Sequence, residues 1–113
     1  MSQKTVIIQG ESLGRGDEQL GRILILMANF LRLLAESGKK PATIILWNAG
    51  IRLACEGSDV LEHLKRLEKQ GVEILACTTC LEYFELRDKI LVGKPTTMSK
   101  SIAAMMETDV VTL

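Results

Sequence analysis

The chain contains 113 residues, of which 47% are hydrophobic, and its 14 basic residues balance its 14 acidic residues. This length suits a single domain over residues 1–113, and the apolar share is enough for a packed core, which excludes a disordered tail or a disulfide-stapled miniprotein. A neutral chain has no net electrostatic attraction for nucleic acid or anionic lipid, so the composition points to neither as a partner.

The cellular compartment follows from the cysteines and the N-terminus. Three cysteines are too few, and odd in number, for a secreted disulfide framework. The N-terminus turns polar after one short apolar run, which is not the pattern of a signal peptide. The longest apolar stretch, residues 23–34, is broken by Asn29 and Arg32, so we expect no membrane span. We therefore expect a soluble, cytoplasmic protein.

The first half of the chain predicts two strands separated by a helix. Residues 4–9 form a short β-branched run, and a glycine-rich loop follows at 10–16. Asp17 lies where a helix N-cap belongs, and apolar residues between 20 and 34 recur with the 3.6-residue period of a helix. The helix ends before a serine–glycine pair, and residues 43–48 form a second buried strand.

The second half predicts helices and short strands in alternation. In chain order these are a helix from Ser58 or Asp59 to about Gln70, a strand at 72–76, a short helix at 81–86, a strand at 90–92, a helix at 99–107 and a strand at 109–112. The helix that ends near Gln70 is followed by a glycine, which favours a stop at that point.

Strands that alternate with helices and are apolar throughout indicate a parallel sheet covered on both faces. We therefore predict an α/β fold, a three-layer α/β/α sandwich with a mainly parallel sheet of four to five strands. Ligands collect at the carboxyl ends of such strands, where the loops at 10–16, 48–58 and 77–80 are expected to converge. The loop residues predicted to bind there are Gly14, Arg15, Gly16, Asn48 and Gly50.

A pair of cysteines is the strongest chemical signal in the chain. Cys77 directly follows the third predicted strand, and Cys80 comes three positions later. A sulfur at the start of a helix lies among unpaired backbone N–H groups, which favour the thiolate over the thiol. A Cys-x-x-Cys that opens a helix is also the geometry of a thioredoxin-like redox pair, although Thr-Thr between the cysteines is unusual there. The alternative is that both are small hydrophobic residues packed under the loop.

Other kinds of site have less support. Zinc needs four ligands, and beyond the pair the chain offers only Cys55 and His63. The same histidine would have to serve a cysteine protease-like dyad. The Gly-x-Gly at 14–16 lacks a correctly spaced third glycine, so a dinucleotide site is disfavoured. We expect no metal and no cofactor, a packed Cys55, and Trp47 in the core.

Four segments carry a resemblance to a known family. They are GRGDEQLG at 14–21, IILWNAGIRLACEGS at 44–58, VEILACTTCL at 72–81 and LVGKPTTM at 91–98. With them the chain resembles the DsrE-like family of small sulfur-relay proteins, most closely the DsrE-like C-terminal domain of the YedF proteins, which are linked to selenium and sulfur metabolism. The resemblance implies a three-layer α/β/α domain that assembles into oligomers.

The resemblance also implies a function. In the sulfur-transfer members, one cysteine just after a central strand accepts sulfane sulfur as a persulfide and passes it to a partner; by position it corresponds to Cys77. Cys80 matches the second cysteine of the YedF-like pattern and can resolve the persulfide by attacking Cys77. The expected partners are sulfur donor and acceptor proteins, TusA-like ones among them. A non-catalytic binding or regulatory module, or a thiol–disulfide oxidoreductase using both cysteines, remains open.

The helix predicted at 20–34 bears on assembly. It is apolar around most of its circumference, more than the single stripe that a sheet-facing helix needs. The surplus residues would form an exposed patch on a monomer and are Ile25, Leu26, Phe30 and Leu33. We therefore predict a homo-oligomer, a dimer or trimer, joined partly through this helix. The alternative is that neighbouring helices of the same chain cover the extra face.

Overall fold

The computed structural model describes residues 3–17, 20 and 26–113, and within them the strands form one sheet in which all neighbours are parallel. The five strands follow the spatial order β4-β3-β2-β1-β5. The strands are β1 (Lys4–Ile8), β2 (Thr43–Leu46), β3 (Glu73–Cys77), β4 (Lys94–Thr96) and β5 (Asp109–Thr112). The helices are α1 (Leu26–Glu36), α2 (Leu61–Lys69), α3 (Thr78–Tyr83) and α4 (Met98–Glu107), with 3₁₀ helices at Asn48–Ala54 and Arg87–Lys89.

Helices cover both faces of the sheet, as predicted. On one face, Met27 and Leu31 of α1 and Leu64 of α2 pack with strand residues in the larger apolar core. On the other face, a smaller core of strand residues packs against α4; its buried members are Ile7, Ile45 and Leu75. The predicted three-layer α/β/α arrangement is therefore confirmed, with one layer much thinner than the other.

The N-cap contact that the sequence predicts for Asp17 is present. The backbone N–H of Leu20 donates to Oδ1 of Asp17 at 2.9 Å, which is the contact that an N-cap carboxylate makes with the third helical residue. Residues 21–25, and with them Ile25 of the predicted apolar patch, lie outside the described residues. From Leu26 onward the helix has buried residues at four-residue spacing, and it ends at Glu36, directly before the serine–glycine pair, as predicted.

The prediction of a strand at 90–92 is wrong. Ile90 forms only an isolated antiparallel bridge with Cys55, and the strand that pairs with β3 is Lys94–Thr96. Gly93, at φ 75°, turns the chain between the two segments, and its backbone N–H donates to Glu68 at 2.9 Å. Proline lacks a backbone N–H, so Pro95 argues against a central strand; β4 is an edge strand, where proline is tolerated.

The remaining elements agree with the sequence more closely. The last helix and the last strand occur at Met98–Glu107 and Asp109–Thr112, within one residue of their predicted bounds. Thr97 caps α4 by accepting a hydrogen bond from the Lys100 backbone N–H at 3.2 Å. The helix after the cysteine loop starts three residues earlier than predicted, directly at Thr78. Cys77 is consequently its N-cap residue rather than part of a separate loop.

Candidate functional site at the carboxyl edge of the sheet

Cys77 stands at a junction between sheet and helix. It is the last residue of β3 and the N-cap of α3, with extended backbone angles of φ −60° and ψ 120°. Its Cα lies opposite that of Thr96 in the edge strand β4. Because β3 lies between β2 and β4, the cysteine is at the carboxyl edge with a strand on either side. The predicted position, a strand end followed by a helix, is confirmed.

The loop after β2 packs directly on the end of β1. A Cβ built on Gly50 would collide with the carbonyl oxygen of Ile8 and would lie 3.2 Å from the backbone nitrogen of Gly10. Only a residue without a side chain permits this approach. The first two loops that the sequence predicts to converge are therefore in backbone contact at Gly50.

The same loop also reaches the cysteine pair. The backbone N–H of Asn48 donates to Sγ of Cys80 at 3.1 Å. Asn48 adopts a left-handed conformation, with φ 51°, that asparagine tolerates better than most residues. This conformation begins the 3₁₀ helix Asn48–Ala54 and leaves the N–H free to face the sulfur. Asn48 and Gly50 thus connect the loop to its two neighbours, one contact each.

Cys80 holds its proton more tightly than an ordinary thiol. Burial raises its pKa first, and the hydrogen bond with the Cys77 side chain and the charge of Cys77 raise that pKa further. The hydrogen bond from the Asn48 N–H lowers the pKa of Cys80, since it stabilises the thiolate. The net shift in the pKa of Cys80 is upward, so its thiol stays protonated at neutral pH.

The two sulfurs differ in accessibility. Cys77 is only 6% exposed, whereas Cys80 is half-buried, and both are free thiols. A sulfur that exchanges with a partner needs access, so a carrier role for Cys77 implies an exposed side chain, which the structure does not show. Its burial arises from packing against the larger core, where Leu81 and Phe84 of the following segment also lie. Cys80 and Asn48, which lie at the same edge, are both more exposed than Cys77.

Cys55 is a core residue, as predicted. It is 1% exposed, and its thiol donates to the Ile51 carbonyl at 3.3 Å. Burial raises its pKa, although the nearby Arg52 partly counteracts this effect. Arg52 in turn lies 4.8 Å from the centroid of the Phe84 ring, a cation–π contact that joins the 3₁₀ helix to the segment after α3.

The glycine-rich loop stays apart from the cysteines. Gly14, Arg15 and Gly16 are exposed, and no hydrogen bond links them to the cysteine loop among the residues that the structure describes. Gly14 and Gly16 have φ of 80° and 120°, so backbone conformation accounts for glycine at both positions. The beginning of this loop does approach the rest of the edge, through Gly10 beside Gly50 and through Leu13, which packs on the larger core.

Two buried polar groups on residues from the strand ends near Cys77 have no hydrogen-bond partner within the described part of the chain, and sequence reasoning assigned no function to either. They are Nε1 of Trp47 and Oγ1 of Thr96, both inaccessible to solvent. Trp47 was predicted only as a core residue, and it does pack against both apolar cores. The available signal was positional: each residue follows or ends a strand adjacent to that of Cys77.

Neither a metal cluster nor a membrane-spanning helix is found in the described residues. Within residues 3–17, 20 and 26–113, no group of three or more histidine, cysteine or acidic side chains is arranged to hold a metal ion. No helix in that part of the chain is long and apolar enough to cross a membrane.

Comparison with known proteins places the fold. No protein-family model and no curated protein sequence matches the chain. Among solved structures, the ychN protein from E. coli is similar over 100% of both chains, with a TM-score of 0.76 and 17% identity. A protein of unknown function from Methanobacterium thermoautotrophicum, MTH1491, is 20% identical, with a TM-score of 0.67 over 98% of this chain and 99% of its own.

A third similar structure is that of a conserved protein of unknown function from Bacteroides thetaiotaomicron, BT1422. It is 18% identical, with a TM-score of 0.66 over 97% of this chain and 94% of its own. These similarities cover nearly whole chains, so this chain shares its complete α/β fold with small conserved proteins. They agree with the DsrE-like fold that the sequence predicts, and activity has to be argued from the site.

Proposed function

We propose that the protein carries sulfane sulfur as a persulfide on Cys77 and passes it to a partner protein. The observation that carries the proposal is that two free cysteines lie together at the carboxyl end of a central strand. Cys77 ends the central strand β3, Cys80 follows three residues later in the helix that begins there, and burial raises the pKa of the Cys80 thiol, which keeps its proton. A nucleophilic sulfur needs a neighbour that tolerates its negative charge, and a thiol donor meets that need.

The transfer steps need no cofactor. The Cys77 thiolate attacks the outer sulfur of a donor persulfide; the donor's S–S bond breaks, a new S–S bond forms on Cys77, and the donor leaves as a thiolate. An acceptor thiolate then attacks the same outer sulfur and releases Cys77 as a thiolate. Both steps exchange one S–S bond for another, so nothing is oxidised or reduced overall.

Cys80 offers a second exit for the sulfur. If Cys80 loses its proton and attacks Sγ of the loaded Cys77, the outer sulfur leaves as hydrosulfide and a Cys77–Cys80 disulfide forms. The outer sulfur is reduced in this step, and the two cysteine sulfurs are oxidised. The raised pKa of Cys80 slows the attack at neutral pH, which favours transfer to a partner over loss as hydrosulfide.

The burial of Cys77 determines how partners approach. A donor has to reach it from the side of Asn48 and Cys80, where one hydrogen bond of 3.1 Å between backbone and sulfur joins the two segments. Such a bond contributes about 1 kcal/mol or less, so it can be broken when a partner docks. We propose a protein donor and a protein acceptor, TusA-like in the simplest case, rather than a free small molecule.

Intact mass measurement tests the proposal. We expect wild-type protein treated with a sulfane donor to gain sulfur, Cys77→Ser to gain none, and Cys55→Ser to load like the wild type. Cys80→Ser should load and should lose its sulfur as hydrosulfide more slowly. Equal loading of wild type and Cys77→Ser would refute the proposal.

A thiol–disulfide couple is a second candidate, favoured by two free cysteines that lie three residues apart at the start of α3. Titration of the pair against glutathione buffers distinguishes the candidates. An oxidoreductase has to form the Cys77–Cys80 disulfide reversibly within the range of cellular thiol potentials. A pair that stays reduced across that range is not an oxidoreductase, and a protein that also takes up no sulfur is a binding or regulatory module.

Assembly into a homo-oligomer is part of the proposal. On α1, Leu26 and Leu33 are 39% and 53% exposed, whereas Phe30 of the predicted patch packs partly against the larger core. On the opposite face of the sheet, α4 presents an apolar row to solvent at four-residue spacing, made of Met98, Ile102 and Met106. Exposed apolar residues aligned on a helix favour association, since burying each contributes about 1.5–3 kcal/mol.

A further inference from the structure

The two unpartnered donors beside Cys77 are unusual for a well-packed edge. The indole N–H of Trp47 and the hydroxyl of Thr96 are sealed from solvent, and neither has a hydrogen-bond partner among the described residues. Thr96 as a whole is 4% exposed. A buried polar group without a partner destabilises the folded state, so such groups are rare in folded proteins and often serve a function.

Strand register places both donors next to Cys77. On one side, Thr96 of β4 is the Cα partner of Cys77. On the other, the last pair between β2 and β3 joins Leu46 to Ala76, and Trp47 and Cys77 are the residues that follow this pair along the chain. Trp47 continues the line of β2, because its backbone is extended and its N–H donates to the Ile8 carbonyl at 3.0 Å.

The spacing between strands bears on which atom of a loaded cysteine the two donors could meet. Neighbouring strands lie about 4.8 Å apart, so groups on Trp47 and Thr96 are within side-chain reach of Cys77. Even so, neither donor bonds to Sγ of Cys77. A second sulfur bonded to Sγ would lie about 2.05 Å farther out, where it could meet donors that Sγ itself does not.

We propose that Trp47 Nε1–H and Thr96 Oγ1–H bind the outer sulfur of the Cys77 persulfide, an inference that rests on the proposed carrier function. Both groups act as positioning residues. A deprotonated persulfide carries its negative charge on the outer sulfur, and hydrogen bonds to a charged acceptor are the stronger kind. The donors hold the loaded form in place, and the unloaded protein is destabilised by leaving them unpartnered.

The hydroxyl of Thr96 can be removed without changing the shape of the site. Thr96→Val replaces one unpartnered hydroxyl by a methyl group, so the unloaded variant should melt at the same temperature as the wild type or higher. The loaded variant should lose its sulfur about tenfold faster, since a hydrogen bond to a charged group is worth at least that factor. Trp47→Phe, which removes the indole N–H, should shorten the persulfide lifetime similarly.

Thr5→Val is the matched control. Thr5 is fully buried in β1, and its hydroxyl is 2.6 Å from that of Thr108. The same substitution there removes a satisfied hydrogen bond away from the cysteines, so it should lower the melting temperature and leave the persulfide lifetime unchanged. Thr96→Val should therefore shorten the persulfide lifetime without lowering the melting temperature. Thr5→Val should lower the melting temperature without changing the persulfide lifetime.

Trp47 provides a readout that does not depend on transfer activity. It is the only tryptophan in the chain, so its fluorescence reports on one indole. We expect sulfur loading to change the emission of the wild type and of Cys80→Ser, and to leave that of Cys77→Ser unchanged.

Several outcomes would overturn the inference. If the wild type loads but Thr96→Val and Trp47→Phe have the same persulfide lifetime as the wild type, the donors do not bind the outer sulfur. The proposed carrier function is then unaffected. If Thr96→Val melts at a lower temperature like Thr5→Val, its hydroxyl serves the fold. If the wild type takes up no sulfur, the carrier function and this inference fail together.

Discussion

The backbone N–H of Asn48 donates to Sγ of Cys80 at 3.1 Å, across 32 residues of sequence. This contact joins the segment after β2 to the helix after β3, and it fixes the more exposed cysteine of the pair against Asn48. At the carboxyl edge of the sheet, Cys77 is therefore buried and Cys80 is partly exposed.

The order of thiol reactivity is a direct test of that arrangement. With iodoacetamide under native conditions, we expect Cys80 to be alkylated first and the buried Cys55 last. Because its pKa is raised, mainly by burial, Cys80 should react more slowly than a free cysteine at neutral pH, and its rate should keep rising above pH 9.0. Peptide mapping over a pH series measures both effects. Faster alkylation of Cys55 than of Cys80 would contradict the structure.

The stability of the protein should fall at alkaline pH. Folding raises the pKa of Cys55 and of Cys80, in both cases chiefly by burial. Above pH 9.0 the unfolded cysteines lose protons that the folded ones retain, so the unfolded state binds fewer protons and becomes favoured. The stability that these two thiols contribute is fully present below that pH. It is lost as the pH rises through their raised pKa values in the folded state.

Urea midpoints at about pH 7 and about pH 10 measure the loss. The double variant Cys55→Ala/Cys80→Ser is expected to start from a lower midpoint and to show a smaller decrease between the two conditions. An identical decrease in the variant would show that other groups cause the pH dependence.

The close approach at Gly50 gives a sharp stability prediction. Gly50→Ala would drive a methyl group into the carbonyl of Ile8, and because both partners are backbone, the strain has no side chain to relieve it. We expect a loss of more than about 2 kcal/mol in the free energy of unfolding. Gly38→Ala is the control, since a Cβ there meets nothing within 4 Å, and it should be neutral or stabilising by about 0.4–1 kcal/mol. Equal costs for the two variants would refute the close contact.

Self-association should depend on the exposed apolar residues of α1. Light scattering at micromolar concentration is expected to give a mass of at least twice 12.5 kDa for the wild type. Leu33→Glu, at a position 53% exposed, should lower that mass without unfolding the chain. Lys65→Glu, an exposed change on α2, should have no effect. A wild-type protein that scatters as a monomer would defeat the prediction.

The alternation of elements and the position of the main chemical group could be predicted from the sequence. Apolar β-branched runs bounded by glycine predict β1, β2 and β3, because a short run that is apolar throughout is typical of a strand buried on both faces. Gly71, at φ 98°, follows the end of α2 where the sequence predicts a stop. Cys77 could be placed at a strand end because this requires only the order of elements along the chain.

Edge elements were predicted less well. The run at 90–92 is apolar enough for a strand, yet the strand that forms contains Pro95, which local propensity disfavours. Residues 94–96 form the strand because they pair with β3. Proline is tolerated there, since at an edge its missing N–H can face away from the sheet. Gly50 was predicted to bind a ligand, which stays a prediction; what the structure shows is that its lack of a side chain permits the contact with Ile8.

Properties that arise between segments were decided only by the tertiary structure. The 6% exposure of Cys77, the raised pKa of Cys80 and the unpartnered donors of Trp47 and Thr96 each depend on groups brought together from separate strands. Local sequence determines periodicity and turns because these arise within a few residues of backbone. Burial and hydrogen-bond partnership are set by which strands become neighbours, so for these residues the order β4-β3-β2-β1-β5 was required.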